Sequence, residues 1–523
     1  MATGAELGYN TNATALQMAN SIFGAGTTVT GASYSGPATS KAIYTNGQLA
    51  TGVAPSSTGV ILSTGDVRNF TQSSGDPNRA TGTSTDTSGT NNNNLFNTVA
   101  GTNTYDAVWL NVDFIPTGDT MTMSFVFSSE EYPEYINSAY NDIMAVWVNG
   151  TYVPLTIGNG TTAINNINPT TEPNLFKSNT TDAYNTEMDG FTLTLKLTMT
   201  VRPGVANSIR IGIADVGDAQ YDSNLLIAAD SVQTALVAMD DTQTLVPTGS
   251  KTVDVLANDQ HVSGAVLTIT QINGVNVVAG QSVTLPSGQV VRLNADGTLT
   301  IFGDGQSENL HFTYSVRDNL GNSDTGLVTI NSVPCFVAGT LIRTPDGDRR
   351  VETLEPGDLV DTHDGGPEPL RWVGQRSVPA AGAMAPVRIR AGTFGDHGTL
   401  MVSPQHRILV RDSLAELLFG ESEVLVAAKD LVNDRSVRQV EGGRVTYYHL
   451  LFDAHQIVYS EGLATESFHP GPQSTRTFAP ETLAEITTLF PDLDPDTGLG
   501  YGPAVRRSLR VFEARALFGP RAA

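Results

Sequence analysis

The amino-acid sequence predicts a mainly β protein of several domains, and three observations carry that expectation. Apolar residues recur at period two in Met121-Thr122-Met123-Ser124-Phe125-Val126-Phe127 and in Phe191-Thr192-Leu193-Thr194-Leu195-Lys196-Leu197-Thr198, the spacing of half-buried strands. Turns rich in Gly, Asn, Asp, Ser and Thr separate these runs, and Asn273-Gly274 and Asp296-Gly297 are hairpin-turn pairs. The composition then changes at the single cysteine, Cys335. The expected architecture is an N-terminal β-sandwich or jelly roll over 1–235, a smaller β domain over 236–333, a third all-β domain over 334–470, and a short helical extension over 471–523. A length of 523 residues holds about three or four domains.

Charge marks the boundary. Residues 1–334 carry 10 Lys and Arg against 28 Asp and Glu, whereas residues 335–523 carry 19 against 25. Six of the eight His also follow Cys335. The net charge of −24 repels nucleic acid and anionic membranes, so no nucleic-acid partner is expected. No apolar run reaches the ~18 residues that a membrane span requires. The opening residues Met1-Ala2-Thr3-Gly4-Ala5-Glu6 lack the basic and apolar parts of a Sec signal peptide. One cysteine cannot form an internal disulfide and leaves a free thiol.

Taken in order, Ala13–Ala19 is a short helical patch, followed by the strand-like runs Gly59–Leu62 and Ala107–Val112. The stretch 81–94 is nearly all Gly, Ser, Thr, Asp and Asn and reads as a mobile loop. In the second domain, Val253–Asp259, Leu293–Thr300, Phe312–Asp318 and Val328–Ile330 supply the strands. In the tail, Glu481–Phe490 and Ala504–Leu517 have helical periodicity, with Arg506-Arg507-Ser508-Leu509-Arg510 in the second helix.

Val60-Ile61-Leu62-Ser63-Thr64-Gly65, Ser128-Ser129-Glu130-Glu131-Tyr132-Pro133-Glu134-Tyr135 with Asn141-Asp142, Asp189-Gly190-Phe191-Thr192, and Ile213-Ala214-Asp215-Val216-Gly217-Asp218 with Tyr221-Asp222-Ser223 resemble the choice-of-anchor L domain of bacterial surface and secreted proteins. That resemblance implies a place more than an activity: the cell surface or the extracellular space, with a surface or matrix partner. The phrases Val255-Leu256-Ala257-Asn258-Asp259 and Asn294-Ala295-Asp296-Gly297-Thr298-Leu299-Thr300 resemble the cadherin-like or Ig-like repeats of bacterial adhesins. A single copy makes that domain a spacer rather than an array.

Cys335-Phe336-Val337-Ala338-Gly339-Thr340-Leu341-Ile342, followed by Leu354-Glu355-Pro356-Gly357-Asp358-Leu359-Val360, resembles the opening of a Hint domain, the self-processing module of inteins and hedgehog proteins. The resemblance implies that Cys335 attacks the carbonyl of Pro334 and converts that amide into a thioester. A free thiol is only a few per cent thiolate near neutral pH. Such a step therefore needs a base for the thiol and a proton for the departing nitrogen. Ser403-Pro404-Gln405-His406 resembles the family's T-x-x-H motif with Ser in place of Thr, which assigns the proton-donor role to His406 and a positioning role to Ser403. Tyr447-Tyr448-His449-Leu450-Leu451-Phe452-Asp453-Ala454-His455 resembles the Y-D-L-x-x-x-x-H segment near the end of inteins. His449, Asp453 and His455 are its candidates, with His449 and Asp453 expected on one face of an extended strand.

The sequence departs from inteins at Leu463-Ala464-Thr465-Glu466-Ser467, where His-Asn would stand. Splicing needs that Asn, so the expectation is cleavage without splicing. Water, an amine or a hydroxyl would then resolve the thioester, and no cofactor is needed for the cleavage. Glu130, Glu131, Asp142, Asp215, Asp218 and Asp222 are hard oxygen donors suited to calcium. They support a rival expectation, a non-catalytic calcium-binding adhesion or matrix protein with an inert Hint fold.

Overall fold

The computed structural model describes residues 2–80, 82–157, 160–244, 250–303, 310–331, 335–380, 385–433, 435–468, 490, 504–509 and 511–518. The chain divides into two compact units. One comprises residues 1–241, 252–301 and 310–328, and the other residues 242–251, 302–309 and 329–523. Strands dominate both.

The first unit begins with two sheets. The central strand Thr120–Ser129 pairs with Ser223–Ala228 on one side and with Leu195–Thr200 and Gly190–Thr192 on the other. Ser223–Ala228 continues to Gly59–Ser63 and Lys41–Thr45. The facing sheet is built on Asn207–Val216, paired to Thr104–Pro116 and to Ile143–Val148. Alternation sorts the side chains. Val60, Leu62, Phe125, Phe127, Leu225 and Ile227 meet Val108, Leu110, Val146 and Ile211 of the other sheet in one core. Their neighbours Ile61, Val126 and Leu226 point the opposite way, into a second core with Tyr44, Phe70 and Phe191.

The central strand is thus buried on both faces, not half-buried as its alternation predicts, because the second core covers Val126 on its outer side and Asp324 bonds Thr122. The run expected over 191–198 is also broken, into Gly190–Thr192 and Leu195–Thr200. The first helix spans Ala15–Ile22, starting two residues later than the predicted patch, with Thr14 and Gln17 forming a capping box.

The loop after residue 81 is tied down. The Thr85 amide donates to Asp222 Oδ1 at 2.6 Å, and the Thr87 amide donates to Asp106 Oδ2 at 2.8 Å. Asn93 then caps the helix Asn94–Ala100. The polar composition that reads as a loose loop is here a set of donors for buried carboxylates.

The same unit holds a smaller β-sandwich, with Leu267–Ile272 paired to Leu310–Asp318 and Ser282–Thr284 paired to Val290–Leu293. Asp324 joins it to the first sandwich. This fully buried carboxylate accepts from the Thr122 hydroxyl at 3.0 Å and the Ala238 amide at 2.9 Å.

The second unit contains a six-stranded and an eight-stranded sheet around one apolar core. The short strand Phe336–Val337 lies between two neighbours, with Phe336 paired to Val402 on one side and to Tyr448 on the other. Residues 504–509 are not part of a helix as the periodicity predicts. They bend at Val505-Arg506 before the bridge at Ser508, and the helix spans Val511–Phe518. Ser508 bridges Leu425 in parallel, and Leu509, Ala514 and Leu517 enter the core. The helical expectation over 481–489 lies outside the described residues, as do Pro334 and His469.

Candidate active site

The register around Phe336 builds the site. With Phe336 opposite both Val402 and Tyr448, the antiparallel ladder sets Cys335 against Ser403 on one side and against His449 on the other. The contacts follow. The Cys335 amide donates to Ser403 Oγ at 2.8 Å, and the Ser403 amide donates back to the Cys335 carbonyl at 2.9 Å. On the opposite side, Cys335 Sγ lies 3.6 Å from His449 Nε2. Two strands thus hold the amide and the sulfur of one residue in fixed directions.

His406 reaches the same place through a turn. The His406 amide donates to the Ser403 carbonyl at 3.0 Å, closing a β-turn with Pro404 in its favoured second position. That is why a spacing of three matters: it returns His406 to the side of Ser403. The ring packs on Phe336, centroid to centroid 4.4 Å. Both ring nitrogens are buried without a hydrogen-bond partner. Burial, with the Arg407 charge beside it, lowers its pKa to about 3, so the imidazole is neutral at neutral pH.

His449 is framed by aromatic rings. Its cross-strand partner is Gly374, and a β-carbon there would stand 2.0 Å from the Trp372 indole. The missing side chain lets that indole lie nearly parallel to the imidazole, 6.5 Å away at 21°. Phe468 meets the imidazole edge-on at 5.6 Å. The sulfur and imidazole are therefore enclosed by apolar surface, where bulk water competes little with their contact. Trp372, Gly374 and Phe468 are absent from the sequence reading, since nothing in a W-x-G triplet announces which residue lies across the sheet.

The structure separates the other two candidates of this segment. The strand ends at Leu451, so the expected shared face of His449 and Asp453 does not continue to Asp453. Asp453 is exposed and forms an ion pair with Arg371 at 2.7 Å. The ladder ends, the chain turns at Asp453-Ala454, and the carboxylate goes to solvent. His455 is buried, with Nε2 3.7 Å from Glu466 Oε2. The Val505 amide donates to its Nδ1 at 3.2 Å. Glu466, itself buried, also accepts from the Arg407 amide at 2.9 Å and from its guanidinium at 3.2 Å. Its desolvation raises its pKa, and Arg407 opposes that rise.

Of the six carboxylates proposed for calcium, Glu131, Asp142, Asp215 and Asp218 lie near one another, and Asp222 lies between Asp215 and Glu130. Asp142 accepts from the Val216 amide at 2.9 Å and the Ser223 hydroxyl at 2.7 Å, and its own amide faces Glu131. Asp215 is buried beside it. Glu130 faces Asp189, Glu187 and Asp222 instead. Asp218 lies nearer the surface and bonds the Gln220 amide. Desolvation raises these acids: Glu130 and Glu131 to about 10, Asp142 to about 7, Asp222 to about 6, and Asp215 well above its usual range. Both Glu130 oxygens are buried without a partner, which is chemistry a cation would satisfy. Among the described residues, however, no three His, Cys, Asp or Glu side chains are arranged to hold a metal ion.

Residues 334–472 match the family model of the Hint domain, residues 8–233 that of the choice-of-anchor L domain, and residues 233–331 that of a bacterial Ig domain. A search of curated proteins finds no match. Among solved structures, the chain is similar to a bacterial intein-like domain from Clostridium thermocellum. The identity is 18% over 25% of this chain and 97% of that one, with a TM-score of 0.19. It is also similar to the M60 catalytic domain with CBM51 domains of Clostridium perfringens ZmpB, at 10% identity over 70% of this chain and 34% of that one, TM-score 0.13. Extracellular domains 3–5 of Drosophila OTK share 11% identity over 67% of this chain and 91% of theirs, TM-score 0.17. The chain therefore carries a choice-of-anchor L domain, a bacterial Ig domain and a Hint domain, in that order.

Proposed function

We propose that the Hint domain cuts its own chain at the Pro334–Cys335 bond. The observation that carries this reading is the double hold on Cys335. Ser403 Oγ accepts the amide hydrogen at 2.8 Å while His449 Nε2 stands 3.6 Å from the sulfur. In the proposed step His449 takes the thiol proton and the sulfur bonds to the Pro334 carbonyl carbon. The C–N bond breaks as the nitrogen gains the proton that His449 took from the thiol, passed on through the imidazole of His406, leaving a thioester on Cys335 and a free amine at its nitrogen. Water, an amine or a hydroxyl then attacks the thioester carbonyl and releases the thiol. Glu466-Ser467 stands where splicing would need His-Asn, so the step ends in cleavage or transfer. The test is trapping: hydroxylamine or excess thiol should release the first 334 residues from the wild-type chain but not from Cys335→Ala. Equal release from both would remove the reading.

The preceding domains support a cell-surface or extracellular setting with a surface or matrix partner. No helix among the described residues is long and apolar enough to cross a membrane. A second reading makes the chain a calcium-binding adhesion or matrix protein with an inert Hint fold. The unpartnered Glu130 carboxylate favours it. Calcium should then raise the melting temperature of the N-terminal unit while the chain stays whole. An unchanged melting temperature would remove this second reading.

A further inference from the structure

The polar surroundings of His455 have no role in the cleavage scheme. Val505 N–H donates to Nδ1 at 3.2 Å, so that nitrogen carries its lone pair and no proton. In the neutral ring the proton must then sit on Nε2, the nitrogen 3.7 Å from Glu466 Oε2. Glu466 is held in turn by the Arg407 amide and guanidinium.

The Val505 donor belongs to a segment anchored along an edge. Strand Glu423–Ala427 pairs with Arg407–Arg411 on one side, and residues 504–509 take the other. Leu425 N–H donates to the Arg507 carbonyl and Leu509 N–H donates to the Leu425 carbonyl, each at 2.8 Å. Arg506 adds ion pairs to Glu423 at 2.8 Å and to Asp364 at 2.7 Å. Leu509 and Leu517 are buried in the domain core. This covers an edge that would otherwise present unpaired backbone groups.

We infer that residues 504–509 are a latch on the processing domain, holding His455 as its Nε2–H tautomer between Val505 and Glu466 and so withholding it from proton transfer. The tautomer stands on geometry alone, whereas its consequence for the reaction rests on the processing reading above. With the latch in place, Nδ1 accepts from Val505 while Nε2 faces Glu466 across 3.7 Å, and His455 is a positioning residue. With Val505 withdrawn, Nδ1 becomes a free base close enough to interact electrostatically with His406. Glu466 faces His455 and is itself held by Arg407, and His406 lies near enough to interact with it.

The experiment is nitrogen NMR of the full chain carrying Cys335→Ala, with labelled histidine and the His455 signal assigned from His455→Asn. The expected spectrum at neutral pH shows Nε2 protonated and Nδ1 bare. Val505→Pro deletes the N–H and should shift the proton toward Nδ1. Should that variant not fold, Glu466→Gln keeps the Val505 bond and should retain the same tautomer. An Nδ1–H tautomer with the latch intact overturns the inference. In the chain that keeps Cys335, Val505→Pro should add an inflection to the pH–rate profile of cleavage. A chain with the expected spectrum but no cleavage would remove the processing reading and leave the latch standing.

Discussion

His449 Nε2 lies 3.6 Å from Cys335 Sγ, and the two face each other because Phe336 and Tyr448 are cross-strand partners one step away. On the proposed scheme this imidazole is the base for the thiol. Positioned general bases contribute about 10²–10⁴-fold. His449→Ala should therefore slow thiol-induced cleavage by about 10²-fold or more, measured by the rate at which fragments form under conditions where the variant stays folded. Cleavage at an unchanged rate would assign the base elsewhere.

Ser403→Ala removes the hydroxyl that accepts from the buried Cys335 N–H. An unsatisfied buried donor costs about 1–3 kcal/mol, so the processing domain should lose about that much stability in denaturant titration, and cleavage should slow. Ser403→Thr keeps the hydroxyl and should restore both. If Thr rescues stability but not rate, the hydroxyl is structural only.

Asp453→Ala is the contrasting case. The ion pair with Arg371 is exposed, and such pairs are worth about 0–1 kcal/mol. Stability and cleavage rate should both stay near wild type. A large loss of rate would return Asp453 to the site.

The two units should respond to acid in opposite senses. In the processing domain His406 has a folded-state pKa of about 3 against ~6.5 unfolded. The unfolded chain binds the extra proton between those values, so stability is full above about pH 6.5 and falls as pH drops toward 3. This one group costs about 2 kcal/mol at pH 5. In the N-terminal unit the raised carboxylates, Glu130 and Glu131 foremost, act the other way. The folded state binds protons that the unfolded chain releases above about pH 4.5, so their contribution is lost as pH rises toward 10. Calorimetry from pH 7 to 5 should show one transition moving down and the other up. Parallel movement would contradict these assignments.

Much of this was legible in the sequence. The mainly β class followed from alternation and turns. Cys335, Ser403, His406 and His449 were named from short motifs because each motif encodes a local device, a turn of three or a strand position. What remained hidden depends on contacts distant in sequence. Trp372 and Gly374 matter only because their strand lies against Arg444–Leu451. Glu466 read as a missing His-Asn, and its use as the partner of Arg407 and His455 needs the sheet assembled. Asp453 was misplaced because period two was extended past the end of a strand. The segment 504–509 has helical periodicity, but an open sheet edge offered its backbone a better set of partners.

The central claim is a bond break, and intact mass spectrometry of the purified chain tests it most directly. After incubation with thiol near neutral pH, the wild type should give pieces of 334 and 189 residues, while Cys335→Ala remains whole. A wild-type chain that stays at 523 residues under those conditions, or a variant that is cut at the same place, would contradict the account.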